Sequence, residues 1–445
     1  MAAVHSHVAR RPTRLAASLR SRHVNMIAFG GIIGAGIFVG SGQIVAQAGP
    51  GVVISYLIAG LLAIAVMRML SALSMNEPTT AAFARYSGRA FGWVGGFTIG
   101  WLYWWEMVVT VGLECSAAVN VLRTWLPGVS PWVVALVLMA GFTAMNLLPV
   151  RAFGETQFWF SAIKVIALAV IMLAGLLAAF GVLPGVSSPG VGNLTGQGGF
   201  LPHGASAVLT GVLVAVFSFV GVELPAIAAG EARSPQATVR GSMRGVPPTT
   251  TILYVGVMLA VVTMVPWNGT GAANSPAAAL LSALGVPHAA QIVDVLVLLA
   301  VLTVLNSCLW AASRMAFALA GQGDAPGGLS RLSPKSVPSR AVILTGLMAF
   351  GTVAVQYFAP NGVFLVLEDS AGAVGLVVWL AIAGAYLKLR PVAKPWRTYV
   401  AWAVVVIICA MLVTMVLVAQ TRSQILATLS LAVIIVVIAL WRDTI

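Results

Sequence analysis

Apolar stretches of about twenty residues recur along the whole chain and constrain its fold more than any other feature. Such a stretch crosses a bilayer as a helix, because a helix rises about 1.5 Å per residue. The chain is 60% hydrophobic and 8% charged, a balance that excludes a soluble domain of 445 residues. We predict an all-α polytopic membrane protein with twelve transmembrane helices. The predicted spans are 24–48, 50–74, 90–121, 131–149, 156–182, 205–230, 249–266, 289–320, 341–358, 364–387, 399–419 and 424–441.

Proline and glycine pairs separate these spans. Gly49-Pro50, Pro247-Pro248 and Pro360–Gly362 all fall between predicted spans, where such pairs mark loops and turns. Two segments outside the spans predict short helices. They are Pro78–Gly88, which is amphipathic, and Ser275–Leu284, which begins with the helix-starting pair Ser-Pro.

Positive charges divide unequally between the loops. The chain has 24 Lys and Arg residues and a formal net charge of +13. The N-terminal tail, the even-numbered loops and the C-terminus carry nearly all of them, whereas the odd-numbered loops carry only Arg123 and Arg422. Loops rich in Lys and Arg stay on the cytoplasmic side. The distribution predicts a multi-pass protein of the cytoplasmic (inner) membrane with both termini cytoplasmic, and it argues against a nucleic-acid partner.

The first span contains the run GGIIGAGIF, from Gly30 to Phe38. Each glycine inside a helix costs about 1 kcal/mol relative to alanine, so this run weakens the helix in its middle. A bilayer tolerates loosened backbone only where it faces protein, water or a ligand. The run therefore predicts a binding site. The alternative is helix packing, because Gly30 and Gly34, like Gly36 and Gly40, have the spacing of small-residue packing motifs.

A second weakened span lies five spans later, in FSFVGVELP from Phe217 to Pro225. Gly221 and Pro225 bracket the carboxylate of Glu223, and proline removes a backbone hydrogen bond from a helix. Spans that are five apart cross the membrane in opposite directions. The two weakened segments are therefore expected to face each other at similar depth, as in transporters built from inverted repeats.

Ionisable side chains inside the spans need a partner or a function, because a charge at the bilayer centre costs at least ~2.5 kcal/mol. Glu223 is interpreted as a gating or proton-linked carboxylate, or as an acceptor for backbone N–H groups freed at the break. Lys164 is interpreted as a fixed or switchable cation near the broken helices. Its alternative is a side chain that extends to the cytoplasmic interface.

Other acidic residues have open alternatives. Glu106 and Glu114 are eight residues apart, close to one helix face. Glu106 either contacts a substrate amine or pairs with Lys164 across the bundle. The remaining acidic residues inside the spans are Asp294, Glu368 and Asp369. They lie nearer the outer ends of their spans, where they are either functional or solvated.

No enzyme signature accompanies these features. The five histidines lie at positions 5, 7, 23, 203 and 288, outside the predicted membrane core. The run GGIIGAG follows no strand, which excludes a dinucleotide-binding motif, and no P-loop is present. The sequence thus predicts no enzyme, no metal and no cofactor.

Seven stretches together resemble a known family, the bacterial amino acid permeases of the amino acid–polyamine–organocation superfamily. IAGLL (58–62), MRML (67–70) and VPWN (265–268) look most like γ-aminobutyrate permeases. The seven stretches are SRHVNMIAFGGIIGAGIFVGSG (21–42), AGPG (48–51), GWLYWW (100–105), FGETQFWFSAIKVIA (153–167), GGFLPHG (198–204), FSFVGVEL with GEARSP (217–235) and VLNSCLWAASRMAFALAGQGDAP (304–326).

The resemblance implies a LeuT-type fold of two inverted five-helix repeats with broken helices 1 and 6. A cytoplasmic tail, 1–23, would precede the first repeat, 24–182, and the second repeat would be 205–390. Spans 11 and 12, in 396–445, would be peripheral. Lys164 matches a lysine that takes the sodium position in proton-coupled members.

The resemblance also implies where a substrate would bind. Its carboxylate would meet backbone N–H groups near Gly34–Gly36, and a half-helix N-terminus does attract anions. Its amine would meet carbonyls at the half-helix ends, and Phe217 or Phe219 would form an aromatic gate. The predicted substrate-binding residues are Ile32, Ile33, Gly34, Ala35, Gly36, Ile37, Glu106, Phe217, Ser218, Phe219, Val220 and Gly221, with Lys164 and Glu223 as coupling or gating residues.

Two acidic features depart from the γ-aminobutyrate permease pattern. Glu106 stands where that group is expected to have an aromatic or uncharged polar residue, and Glu368-Asp369 form a more acidic lead into span 10. A substrate with an extra amine, or a different proton route, would account for them.

The function predicted from these features is proton-coupled uptake of an amino acid or a γ-aminobutyrate-like zwitterion by alternating access. The expected partners are the small-molecule substrate, protons and membrane lipid. An amino acid or amine exchanger without proton coupling is the first alternative. A non-transporting amino acid sensor is more distant, since neither tail is long enough for a signalling domain. Nothing in the sequence indicates an oligomeric state.

Overall fold

The computed structural model describes residues 15–358, 363–389 and 395–443, and within these ranges the chain is helical with no extended strand. Tail residues 1–14, the predicted loop at Pro360–Gly362 and residues 390–394 lie outside them. The first ten helices are α1 (Ser21–Ile32), α2 (Ser41–Ala48), α3 (Val52–Asn76), α4 (Ala82–Phe91), α5 (Trp93–Trp125), α6 (Pro131–Asn146), α7 (Val150–Ala179), α8 (Gly192–Thr195), α9 (Gly204–Phe217) and α10 (Leu224–Ala228).

Nine further helices complete the described chain. They are α11 (Pro235–Met264), α12 (Thr270–Asn274), α13 (Pro276–Ala283), α14 (Ala289–Gly321), α15 (Ser339–Phe358), α16 (Val363–Ala371), α17 (Val374–Leu389), α18 (Pro395–Leu417) and α19 (Ala419–Asp443).

Long apolar helices dominate this set. Nine helical stretches in the described ranges are long and apolar enough to cross a membrane, and α6 and α9 are apolar but shorter. Each of the twelve predicted spans contains at least one helix. The short helices predicted at 78–88 and 275–284 are confirmed as α4 and α13, with slightly different bounds.

One predicted loop is wrong. Pro247 and Pro248 lie inside α11, which begins at Pro235 and not near residue 249 as predicted. Proline fits the first turn of a helix, so Pro235 provides a start well before the proline pair. Helix α11 continues through the pair to Met264, and Thr251 Oγ1 donates to the Pro247 carbonyl at 2.8 Å within it.

The first predicted break lies within the glycine run. Helix α1 ends at Ile32, and the chain bends at Ile33 and Gly34. A π-helical turn then occupies Gly36–Gly40, followed by α2. Such turns are rare and frequently mark functional sites. The weak helix formers therefore coincide with a real interruption.

The second interruption lies where FSFVGVELP predicts it. Helix α9 ends at Phe217, the chain forms turns through Glu223, and α10 begins at Leu224 with Pro225 in its first turn. Gly221 has φ of +98°, a left-handed conformation that favours glycine. Five residues after α10 begins, the chain turns into a short 3-10 helix, Ala229–Glu231.

Packing brings both interruptions into the centre of the bundle. Helix α1 packs on α7, α11 and α14, and it also touches α10. The pairs α5–α14 and α3–α11 surround this centre. Helix α19, predicted to be peripheral, packs against α5 and α16.

A buried ion pair and a short backbone bridge tie one end of the bundle together. The Arg314 guanidinium lies 3.3 Å from the Glu231 carboxylate, and both side chains are 1% exposed. Trp310 Nε1 donates to the same carboxylate at 3.2 Å. Beside this pair, the backbone of Leu19 bonds to Glu231 and Arg233, so the segment before α1 is held to the segment after α10.

Candidate functional site

A cavity of about 310 Å³ lies between the two interrupted helices. It is about the size of the smaller ligand pockets of proteins. Eight of the predicted substrate-binding residues line it: Ile32, Gly34, Gly36, Glu106, Phe217, Ser218, Val220 and Gly221. The structure thus brings together residues from α1, α5 and α9 that are far apart in the sequence.

Glycines allow the two interruptions to touch. A Cβ on Gly221 would lie 2.8 Å from the carbonyl oxygen of Gly31. A Cβ on Gly36 would lie 2.9 Å from Ser218 Oγ, and one on Gly34 would lie 2.9 Å from the Val304 side chain. Since real Cβ atoms do not approach so closely, a larger residue at Gly221 would push the half-helices apart, and one at Gly36 or Gly34 would displace the side chain of Ser218 or Val304.

Lys164, on α7, is fully buried beside the first interruption. Its Nζ donates to the carbonyl oxygens of Gly30 at 3.0 Å and Ile33 at 2.7 Å, and to Thr303 Oγ1. Both carbonyls lie at the C-terminal end of α1, where a broken helix has unpaired acceptors. A cation also suits the negative end of the helix dipole. Lys164 therefore binds the loosened end of α1.

Lys164 does not extend to the cytoplasmic interface in this arrangement, and it does not pair with Glu106. Within the described chain Lys164 makes no ion pair with a carboxylate within 4.0 Å. The Glu114 carboxylate attracts Lys164 from beyond the 4.0 Å of an ion pair.

A chain of buried amides and hydroxyls surrounds the lysine. Gln157 Nε2 donates to the Thr303 carbonyl at 3.0 Å and to Ser307 Oγ at 2.6 Å. Asn306 Nδ2 donates to Gln157 Oε1 at 2.9 Å, and Asn146 Nδ2 donates to Asn306 Oδ1 at 2.9 Å. Because these groups satisfy one another across α6, α7 and α14, they fix the helices around α1.

Glu223 lies inside the second interruption and is 2% exposed. Its Oε1 accepts a hydrogen bond from the Gly221 N–H at 3.2 Å, so it does bind a freed backbone N–H group. Its Oε2 has no hydrogen-bond partner among the described residues. The carboxylate therefore supports the break, and the side chains of Tyr103 and Trp379 also interact with it.

Glu106 and Glu114 line the cavity from α5. Glu106 is 4% exposed. The Oε2 atoms of both residues are buried and lack a hydrogen-bond partner in the part of the chain that the structure describes. A buried unpaired carboxylate oxygen is costly, so both point to a proton or a ligand group that completes the site.

The two aromatic gate candidates differ in position. Phe217 is partly buried and lines the cavity. Phe219 is fully buried and packs on Tyr254, with ring centroids 5.3 Å apart. Tyr254 also donates from its hydroxyl to the Ile32 carbonyl at 3.1 Å. Phe217 is therefore the aromatic side chain that a ligand in the cavity would meet, and Phe219 braces the interruption from behind.

Four predicted substrate-binding residues do not line the cavity. Ile33, Ala35, Ile37 and Phe219 are absent from its wall, although the Ile33 carbonyl accepts from Lys164. Side chains of consecutive residues at a break point in different directions, so they cannot all face the cavity. The sequence alone does not specify which of them face it.

Several cavity residues were not predicted as site residues. Glu368 was assigned to the outer end of span 10, yet it lines the cavity, as does Gln424 from α19. Thr110 and Leu113 follow from the helical spacing of Glu106 and Glu114 on one face of α5. No local signal identifies Gln424, because its position depends on how α19 packs against α16.

A larger cavity of about 600 Å³ lies between α5 and α19. Its wall is mainly apolar and includes Trp101, Trp104 and Trp105, with Asp324 and Arg442 at one end. Burial raises the pKa of the Asp324 carboxyl, although Trp93 Nε1 donates to it at 2.7 Å. No chain interruption borders this cavity, so the smaller one is the candidate binding site.

Comparison with known proteins identifies the family. The amino acid permease family profile matches residues 23–444. The γ-aminobutyric acid permease of Bacillus subtilis (strain 168) is 41% identical over 421 residues, covering 92% of this chain and 90% of the relative. The γ-aminobutyric acid permease of Escherichia coli (strain K12) is 38% identical, covering 97% and 96%.

A relative named for a different substrate is nearly as similar. The aromatic amino acid transport protein AroP of Corynebacterium glutamicum is 37% identical over 380 residues, covering 84% of this chain and 82% of the relative. The range of the family profile includes both interruptions and the cavity between them. The chain is therefore a multi-pass permease, not an enzyme, and it belongs to the amino acid permease family of the amino acid–polyamine–organocation superfamily.

Proposed function

We propose that this protein is a secondary active transporter that imports an amino acid by proton symport and alternating access. The observation that carries the proposal is the cavity between two interrupted helices, with a buried lysine bound to one of them. Transporters bind substrates where broken helices meet near the bilayer midplane. The names of the relatives, which include γ-aminobutyric acid and aromatic amino acid permeases, support an amino acid as substrate.

The proposed architecture has twelve spans in the cytoplasmic membrane with both termini in the cytoplasm. Residues 24–182 and 205–390 would form two inverted five-helix repeats of the LeuT type, and 396–445 would contribute two outer helices. The interruptions in the first span of each proposed repeat support this arrangement, as does the excess of Lys and Arg in alternate loops.

In the proposed binding mode, the substrate carboxylate accepts from backbone N–H groups near Gly34, Ala35 and Gly36, at the start of the helix that follows the break. Unpaired N–H groups and the helix dipole favour an anion there. The substrate ammonium would bind carbonyl oxygens at the ends of α1 and α9, near Ile32 and Phe217. Phe217 would cover the bound substrate.

Lys164 is the proposed link between proton movement and the conformation of α1. While charged, its ammonium binds the Gly30 and Ile33 carbonyls and holds the end of α1 against α7. Deprotonation would weaken those charge-assisted bonds and release α1. Glu223 is the proposed second proton site, because its carboxylate is buried inside the other interruption.

The test is uptake of radiolabelled amino acids and γ-aminobutyrate into proteoliposomes with an imposed pH gradient, inside alkaline. We expect accumulation that rises with the gradient and collapses when a protonophore is added. No uptake of any amino acid would refute transport. Uptake that needs a preloaded internal amino acid and ignores the gradient would refute symport and favour the exchanger.

A further inference from the structure

The cavity contains more carboxylates than the single ammonium group of a simple zwitterion would need. Its lining includes three carboxylates, those of Glu106, Glu114 and Glu368, and among its described lining residues there is no lysine or arginine. Lys164, the buried cation nearby, already binds the Gly30 and Ile33 carbonyls and Thr303. Its hydrogen bonds therefore go to α1 and α14, and its charge acts on Glu114 and not as a donor to the cavity wall.

Glu106 and Glu114 mark two different ends of this cavity. A Cβ on Gly34 would lie 3.2 Å from Glu114 Oε1, so Glu114 stands beside the interruption of α1. A Cβ on Gly375 would lie 3.1 Å from Glu106 Oε1 and equally close to Val220, so Glu106 stands beside α17 and the second interruption. Each carboxylate has a buried oxygen without a partner among the described residues.

We infer that the cavity selects amino acids with a second, side-chain ammonium, which Glu106 binds while the α-ammonium lies toward Glu114. The inference rests on the proposed transport function and names its substrate class. A cationic nitrogen at each end would supply the donors that both unpaired oxygens lack, whereas a neutral amino acid would leave one of them unpaired.

The separation of Glu106 and Glu114 along α5 fits a diamino acid of particular length. Glu106 and Glu114 are eight residues apart on α5, which corresponds to about 12 Å along the helix axis. The two nitrogens of lysine are joined by six single bonds of about 1.5 Å, which span roughly 7 Å when extended. A hydrogen bond of about 2.8 Å at each end brings the total close to the axial separation of the two residues. Shorter diamino acids would reach only one carboxylate.

The cavity volume agrees with this class. About 310 Å³ accommodates one small amino acid with an unbranched side chain. Thr110 lies one helical turn from Glu106 on the same wall, and Leu113 lies next to Glu114. The stretch of wall between the two carboxylates therefore includes an apolar side chain that can contact methylene groups.

The experiment compares lysine with norleucine, which lacks only the terminal ammonium, in proteoliposomes that contain the full chain. Competition against each radiolabelled amino acid gives the ratio of apparent affinities. We expect lysine to bind at least tenfold better than norleucine. Across diaminopropionate, diaminobutyrate, ornithine and lysine, affinity should rise with chain length. This series uses only the wild-type protein and does not depend on whether a variant folds.

The matched variants are Glu106→Gln and Asp294→Asn. Both remove one negative charge from a predicted span, but Asp294 does not line the cavity. We expect Glu106→Gln to bring the lysine-to-norleucine ratio close to one, and Asp294→Asn to keep the wild-type ratio. Equal affinities in the wild type, or a ratio that Glu106→Gln leaves unchanged, would overturn the inference.

The result that would refute the proposed transport function differs from the result that would refute the diamino acid inference. If neither lysine, norleucine nor γ-aminobutyrate enters the proteoliposomes, transport itself is refuted. If norleucine or γ-aminobutyrate enters and lysine does not, transport stands and the diamino acid inference is overturned.

Discussion

Lys164→Met is the substitution whose effect follows most directly from the geometry. Methionine has nearly the length of lysine but no donors. The Gly30 and Ile33 carbonyls, which accept from Lys164 Nζ at 3.0 and 2.7 Å, would lose that donor. A buried acceptor without a partner costs about 1–3 kcal/mol, so two cost about 2–6 kcal/mol.

Part of this loss is offset, because the variant no longer buries an ammonium group. We therefore expect a net destabilisation of about 2 kcal/mol and a decrease of roughly 2–5 °C in Tm, given that long chains shift less per kcal/mol than short ones. Fluorescence-detected size-exclusion chromatography of heated, detergent-solubilised protein measures this shift. The same protein in proteoliposomes should lose uptake driven by a pH gradient.

Lys388→Met is the matched control, since Lys388 is exposed near the end of α17. It should leave both Tm and uptake within error of the wild type. A Lys164→Met protein that melts at the wild-type temperature and retains gradient-driven uptake would refute the assignment of Lys164 as the residue that binds the end of α1.

Three further perturbations test separate parts of the structure. Gly221→Ala should lower Tm, because φ is +98° and the new Cβ would lie 2.8 Å from the Gly31 carbonyl oxygen; an unchanged Tm would contradict the contact between the interruptions. Glu231→Gln should destabilise by about 3–5 kcal/mol by leaving the Arg314 guanidinium buried without its counter-ion, and a Tm equal to that of the wild type would contradict the buried pair. Burial raises the pKa of Asp324, so the folded state binds the proton more tightly than the unfolded state, and protonation stabilises the fold as pH falls. Asp324→Asn should weaken this rise of Tm toward acid pH, and an identical pH profile would contradict it.

The glycine and proline signals predict the two interruptions because they act through local backbone preference. The run from Gly30 to Phe38 weakens any helix, and α1 ends inside it. Gly221 and Pro225 do the same for the second break. The same kind of signal misleads at Pro247-Pro248, because α11 begins earlier, at Pro235, and continues through the pair.

The partners of the site residues depend on tertiary packing, which no single segment encodes. Lys164 was identified from its position inside a span, but its carbonyl partners on α1 follow only from the packing of α7 on α1. Glu368 and Gln424 reach the cavity because α16 and α19 pack together beside α5. Ile37 is buried away from the cavity, because the π-helical turn determines which side chains face it.

The central claim is that substrate binds between the two interrupted helices. It is tested most directly by the affinity of purified protein for radiolabelled lysine or γ-aminobutyrate, whichever the wild type binds, in Gly36→Ala and Gly40→Ala variants. Both glycines lie in the same π-helical turn, but a Cβ on Gly36 would lie 2.9 Å from Ser218 Oγ in the cavity wall, whereas a Cβ on Gly40 would meet no atom within 4 Å. The proposed site predicts at least tenfold weaker binding in Gly36→Ala and wild-type affinity in Gly40→Ala. Unchanged binding in Gly36→Ala, or equal losses in both variants, would contradict it.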